Sequence, residues 1–279
     1  MNRFFADNLN GPQVPLTDDE AHHATHVLRL GAGAEVELFD GSGRTARGRI
    51  IRAGRSKALV QIEHVNPAAP RPQPIIHLAF AVPKGKRLDW LLEKATELAA
   101  ASLQPVRFQR SVAGGGLDGA GRRRWLAHCI AAAKQSGLNF LPEIRQPAGL
   151  NEFLAEKPAE ESTILLLGDV GEDAMPILWA LRGAEKSAIR NPCLPPAPAC
   201  LDPQGGRGRQ AKSEIVVLVG PEGGLTDSER RAALAAGFMP VRIGTTTLRT
   251  ETAAVSLLAA AAALLGQAEG RCATSTEKS

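Results

Sequence analysis

At 279 residues the chain is long enough for two domains, and its 44% hydrophobic content supports ordinary buried cores. A net charge of +4 is a mild basic excess that suits an anionic partner. The four cysteines, Cys129, Cys193, Cys200 and Cys272, show no C-x-x-C spacing, which argues against a zinc site or a disulfide framework and for reduced cytoplasmic thiols.

Met1 to Asp7 lacks the apolar core of a signal peptide, and the apolar run from Ala253 to Leu265 is shorter than the roughly 20 residues a bilayer span needs. A soluble, cytoplasmic protein with no membrane partner is expected. Thr17 and Glu20 have capping-box spacing, opening a helix expected to run through His22, His23 and His26 to Leu30. His22 and His26 would share a face, but no glutamate stands between them as in H-E-x-x-H, so no metal is expected. Alternating strands follow at 34–39, 45–51 and 58–62, with turn residues between them. Arg44, Arg47, Arg49, Arg52, Arg55 and Lys57 lie in a stretch without any acid, a pattern expected of a phosphate-contacting surface. Residues 1–70 thus read as a small β-rich, barrel-like domain, and Pro67, Pro70, Pro72 and Pro74 as a linker.

The second domain, 74–279, alternates strand and helix. Strands are expected at 75–80 and 163–167, the latter stopping at Gly168, and helices at 88–101 and 125–135. A second basic cluster comprises Arg107, Arg110 and Arg122 to Arg124. The stretch at about 183–213 is rich in Pro, Gly and Ala and reads as a mobile insertion, and the chain from about 267 as a disordered tail. Such β-α alternation predicts an α/β domain with a parallel sheet covered on both faces.

Two loops near the C-terminus carry the chemistry. The apolar run Ile215 to Val219 precedes Gly220-Pro221-Glu222-Gly223-Gly224-Leu225, and Thr226 with Glu229 forms a capping box that must start a helix. Glycines let backbone approach a ligand, whereas Glu222 has no structural duty in such a turn. The strand Val241 to Ile243 then precedes Gly244 and Leu248-Arg249-Thr250-Glu251-Thr252-Ala253, with Thr250 or Thr252 as N-cap of an Ala/Leu-rich helix from Ala253. Glu251 suits the helix dipole and Arg249 opposes it. Both loops should lie at the C-terminal edge of one sheet, where α/β folds bind ligands.

These paired segments resemble the signature of the RsmE family, bacterial SPOUT-class enzymes that methylate N3 of a uridine in 16S ribosomal RNA. His23 to Arg29, Leu38 to Ser42, Glu93 to Leu98, Gln135-Ser136-Gly137 and Pro142-Glu143-Ile144 are similar to family motifs in family order, so the resemblance covers most of the chain. It implies a PUA-like RNA-binding domain, then a methyltransferase domain tied in a trefoil knot, S-adenosylmethionine as cofactor, 16S rRNA in the small ribosomal subunit as partner, and a homodimer. The expected cofactor cradle is the backbone at Leu166, Leu167 and Gly168, at Leu218, Gly220, Pro221, Glu222, Gly223 and Gly224, and at Ile243, Gly244, Leu248 and Thr252. RNA contacts are expected at His23, Arg29, Arg44, Arg47, Arg49, Arg110, Arg122 and Arg123.

Uridine N3 must lose its proton before it can attack a methyl group. Arg249 fits a role in stabilising negative charge on the uracil carbonyls, and Glu222 or Glu251 fits the proton acceptor. The competing role for either glutamate is hydrogen bonding to loop amides. Thr246 stands where the family pattern has an arginine, Leu138 follows Gln-Ser-Gly where another arginine is expected, and Ala99 replaces a glycine. A SPOUT enzyme with another RNA target and a non-catalytic RNA-binding assembly factor are the alternatives, and an intact cofactor signature argues against the latter.

Overall fold

The computed structural model describes residues 1–54, 57–111, 117–156, 163–181 and 214–265. The expected insertion and tail, and Arg55, lie outside that range. The chain forms two compact units, Met1–Pro72 with Leu92–Ala99 and Gly119–Glu143, and Gln73–Leu91 with Ala100–Asp118 and Ile144–Ser279.

In the first unit, β1 (Asn2–Phe5), β2 (Gln13–Pro15), β3 (Glu35–Phe39), β4 (Thr45–Ala53) and β5 (Ala58–Asn66) form a sheet in the order β1-β3-β4-β5-β2. Its pairings are antiparallel except for β1 beside β3. Val36, Leu38, Ala46, Ile50 and Val60 alternate inward to build the core, while Arg47 and Arg49 point out. The helix Gly119–Ser136 belongs to this unit, its Ala133 packing with Phe5 and Phe39.

The expected helix from Thr17 to Leu30 is shorter and of two kinds. An α-helix covers Asp18–His22, and a π-helix follows at His23–Val27, closed by the Leu28 amide on the His23 carbonyl at 3.0 Å. Thr17 accepts from the Glu20 amide, but the capping box is not reciprocal. The Glu20 carboxylate is taken instead by Lys134 at 2.8 Å and the Phe5 amide at 3.3 Å.

In the second unit, β6 (Ile75–Phe80), β7 (Ser102–Arg107), β8 (Glu143–Ile144), β9 (Ala148–Gly149), β10 (Ile164–Gly168), β11 (Met175–Pro176), β12 (Glu214–Val219) and β13 (Met239–Arg242) make a sheet ordered β11-β13-β10-β12-β6-β7-β8, with β9 on β7. The central pairings, from β11 to β7, are parallel. Leu165, Leu167, Val216 and Leu218 enter one core with Phe153 and Phe238. The helix Thr250–Leu265 packs against β6, β10 and β12 on the other face, so the sheet is covered on both. The order β13-β10-β12 makes the chain cross β10 to reach β13, and the last helix then doubles back over β10.

Boundaries shift where tertiary contact outweighs local pattern. β13 starts at Met239 and includes Pro240, and the last helix starts at Thr250 rather than Ala253. β7 escaped the sequence because Gln104 and Pro105 interrupt its apolar run.

Ala99 sits at φ 58°, the left-handed conformation in which its amide closes on Thr96 O at 2.8 Å after the helix Lys86–Glu97. A Cβ is disfavoured there by roughly 1–2 kcal/mol, partly offset by the extra unfolded-state freedom of glycine. Ala99→Gly is therefore expected to raise stability by about 0.5–1 kcal/mol, read as a higher urea midpoint at unchanged slope.

Candidate active site

Register brings the important strand ends into one line. Val241 of β13 stands beside Gly168 of β10, Gly168 beside Val219 of β12, and Val219 beside Phe80 of β6. Four loops therefore leave the sheet at the same edge, the C-terminal one. Three of them, after β10, β12 and β13, wall a cavity with about 720 Å³ of free space, part of it open to solvent.

Of the expected cradle, Gly168, Gly220, Pro221, Glu222, Gly224, Ile243 and Leu248 line this cavity. Leu166, Leu167 and Leu218 are buried strand residues just short of it, with side chains in the cores. Gly223 faces Arg110, while Gly244 and Thr252 are exposed and do not line the cavity. Asp169, Val170, Val219, Val241, Thr246 and Thr250 also line it. Val219, Val241, Leu225 and Leu257 give apolar walls, and the small residues between them leave backbone groups accessible. Gly224 has φ 71°, and a Cβ at Gly220 would collide with Leu225.

The loop after β12 is held from two sides. Thr226 caps the helix Asp227–Ala235 in a reciprocal capping box with Glu229, as the sequence predicted. Glu229 also accepts from the Gln109 amide at 2.7 Å, and Arg110 donates to the carbonyls of Gly223 at 3.0 Å and Leu225 at 3.4 Å. From the other side, Thr250 donates from its hydroxyl to the buried Gly220 carbonyl at 3.1 Å. Thr250 therefore joins the two signature loops rather than capping its own helix. The loop after β10 is braced by Arg230, which holds Asp169 at 2.7 Å and also Asp173. Those two carboxylates raise the guanidinium's pKa further, and Arg230 lowers that of Asp173.

A second, wider opening adjoins the cavity, lined by Arg87, Glu222, Thr247, Leu248 and Arg249. Glu222, Thr247 and Leu248 are common to both. Arg249 is exposed, and its side chain has no hydrogen-bond or ion-pair partner among the described residues. Glu222 is ion-paired with Arg87, whose Nη1 lies 3.9 Å from Glu251 Oε2. Glu251 is only 6% exposed, and its Oε2 has no hydrogen bond. Sequence reasoning missed Arg87, although Pro83-Lys84-Gly85-Lys86-Arg87 after β6 repeats the strand-glycine-helix grammar of the other loops.

The chain matches the family model of an RNA methyltransferase domain over residues 70–262 and that of an RNA methyltransferase PUA domain over 16–63. It is 31% identical to the ribosomal RNA small subunit methyltransferase E of Synechocystis, across 90% of this chain and 73% of that protein. The chain belongs to the ribosomal RNA small subunit methyltransferase E family. A crystal structure of such an enzyme from Neisseria gonorrhoeae bound to S-adenosylmethionine aligns with a TM-score of 0.74 and 28% identity, covering 95% of this chain and 98% of that one. A Legionella pneumophila methyltransferase solved with S-adenosylmethionine gives the same TM-score at 27% identity, covering 94% and 96%. The fold is that of this family: a PUA-like domain followed by a SPOUT-type knotted parallel-sheet domain.

The residues expected to touch RNA fall in the first unit except for Arg110. Arg47, Arg122 and Arg123 are exposed in the first unit. Arg44 lies 3.8 Å from Asp40, and Arg49 is paired with both Glu35 and Glu63. His23 stands edge-on to Phe4, and burial with nearby Lys134 lowers its pKa. Arg29 is exposed at φ 55°. Arg110, in the second unit, is engaged by the loop carbonyls. Among the described residues no cluster of His, Cys, Asp and Glu could hold a metal, and no helix is long and apolar enough to cross a membrane.

Burial alone would raise the Glu229 pKa, but hydrogen bonds from Thr226 and Gln109 outweigh it and the folded value is lowered. A carboxylate with a lowered folded pKa adds stability at neutral pH that is lost as pH falls from its unfolded value, near 4.5, through the folded one. Glu229→Gln is expected to lower stability at pH 7 and to flatten its decline below about pH 5, measured by urea unfolding across pH.

Proposed function

We propose that the protein uses S-adenosylmethionine to methylate N3 of a specific uridine in 16S ribosomal RNA, within the small ribosomal subunit. The observation that carries this reading is the pair of adjoining cavities with a shared wall at Glu222, Thr247 and Leu248. The less open one suits the cofactor, and the wider one, open beside Arg249, suits a base presented from solvent. Gly168, Gly220, Gly224 and Ile243 would hold the cofactor through backbone groups, with Val219 and Leu257 packing against it. When bound, S-adenosylmethionine supplies an activated methyl group.

The chain's residues then have to orient the uracil and remove its N3 proton. Arg249, which lines the wider cavity, would donate to the carbonyl oxygens as negative charge builds on the ring. Glu222 suits the proton acceptor better than Glu251, because Glu222 lines both cavities whereas Glu251 lines neither and its Oε2 is buried. Loss of N3–H to the carboxylate leaves a lone pair on N3, which forms the new N–C bond as the sulfonium–methyl bond breaks. Arg29, Arg44, Arg47, Arg122 and Arg123 would contact phosphates, and His23 a base edge, whereas Arg49 is held by Glu35 and Glu63. Arg110 serves the cofactor loop.

The reading includes a cytoplasmic homodimer. Leu178 at 45% and Trp179 at 70% exposure offer an apolar surface beyond Met175, which is itself 38% exposed. Light scattering is expected to give twice the protomer mass, and Trp179→Asp to give one protomer. A single-protomer mass for the unaltered protein would refute the dimer.

Arg249→Ala is expected to lower methyl transfer to undermethylated small subunits by about 100-fold while calorimetric cofactor affinity stays unchanged. Near-normal turnover would remove Arg249 from the chemistry. Normal N3-methyluridine in the 16S rRNA of cells lacking the protein would overturn the function.

A further inference from the structure

The edge of the wider cavity has a feature that the cofactor and base sites leave unused. After β6 the chain runs through Ala81 to Gly85 into the helix Lys86–Glu97. Lys84 and Lys86 are exposed and have no ion-pair partner among the described residues. Gly85 between them has φ 61°, and a Cβ there would meet nothing within 4 Å, so the space beside this glycine is open. Arg87 lines the wider cavity. Three residues on, Trp90 is 41% exposed.

Residues three apart are neighbours on a helix surface, and helical side chains lean back over the preceding turn. Trp90 therefore leans toward the turn bearing Lys86 and Arg87, at the rim of the cavity with Arg249. Leu91 is fully buried, so the helix already has its core anchor and does not require Trp90 for packing. An exposed indole beside two unpaired ammonium groups has the chemistry of a single-stranded nucleic-acid platform: an aromatic face for a base, with cations for the flanking phosphates.

We infer that Lys84, Lys86 and Trp90 form a docking edge for the unpaired RNA next to the target base, with Trp90 stacking on a neighbouring base and the lysines holding its phosphates. This rests on the RNA-methylation reading. It adds a reason for a base to be presented unpaired at the open cavity: a neighbour stacked on Trp90 stabilises the strand in an extended, unstacked form.

The test compares the full-length protein with Trp90→Ala, Trp90→Phe and Lys84→Ala/Lys86→Ala, using undermethylated small subunits as substrate over a salt series. Trp90→Ala is expected to raise KM about 10-fold with kcat and calorimetric cofactor affinity unchanged, and Trp90→Phe to restore most of the loss. The double lysine variant is expected to reduce the slope of log affinity against log salt by about 1.4, two single-strand phosphate contacts. A KM within twofold of wild type for Trp90→Ala overturns the docking edge. So does a fall in protomer number on light scattering, which makes the face a subunit contact. An unaltered protein that methylates no RNA defeats the functional reading instead, and equal RNA affinity of wild type and Trp90→Ala in the same series still decides against the edge.

Discussion

The hydrogen bond from the Thr250 hydroxyl to the Gly220 carbonyl is short in sequence terms on neither side: it spans thirty positions. Between those positions the chain leaves β12, forms the helix Asp227–Ala235, crosses to β13 beyond β10 and returns. A returning chain end in a knotted fold needs a fixed seat, and this bond supplies one at the point where the last helix begins. Its net value is modest, about 1 kcal/mol, but leaving the buried carbonyl unpaired would cost about 1–3 kcal/mol. The loops after β12 and β13 therefore depend on the return being complete. Cofactor geometry and knot closure are one constraint.

That constraint explains why the loop after β12 can be glycine-rich without being loose. Glycine costs backbone entropy wherever it is ordered. Here the order comes from outside the loop, through Arg110 on the Gly223 and Leu225 carbonyls, Glu229 bridging Thr226 to Gln109, and Thr250 at Gly220. The glycines contribute close approach, while side chains on other elements contribute rigidity. Such a division suits a site that must hold a ligand by backbone groups with little reorganisation.

The parallel sheet, the capping box at Thr226 and the two-loop pocket were legible because each rests on local grammar, an apolar run, glycines and a capped helix start. Other features depend on partners far away in the chain. Glu20 looked like half of a capping box, but Lys134, 114 positions on, takes its carboxylate. Arg110 looked like a phosphate contact from its charge, yet its guanidinium reaches loop carbonyls more than 110 positions away. Arg49 has the same charge in the sequence as Arg47, but β4 places it between Glu35 and Glu63. Charge is visible in a sequence, whereas neutralisation is a property of the fold.

The arginines at or beside the two cavities differ in the same way. Arg230 and Arg87 are committed to carboxylates, one bracing Asp169 and Asp173, the other joining Glu222 and approaching Glu251. Arg249 alone among these three has no such commitment among the described residues, although it precedes a helix N-terminus whose dipole it opposes. An unfavourable position without a compensating ion pair persists at little cost only while the side chain stays in solvent. Binding an electron-rich group converts that position from a mild liability into a preorganised donor, because the guanidinium has no internal partner to release first. An arginine already engaged, such as Arg87, would lose one ion pair to gain another, and its differential stabilisation of a charged transition state would be smaller.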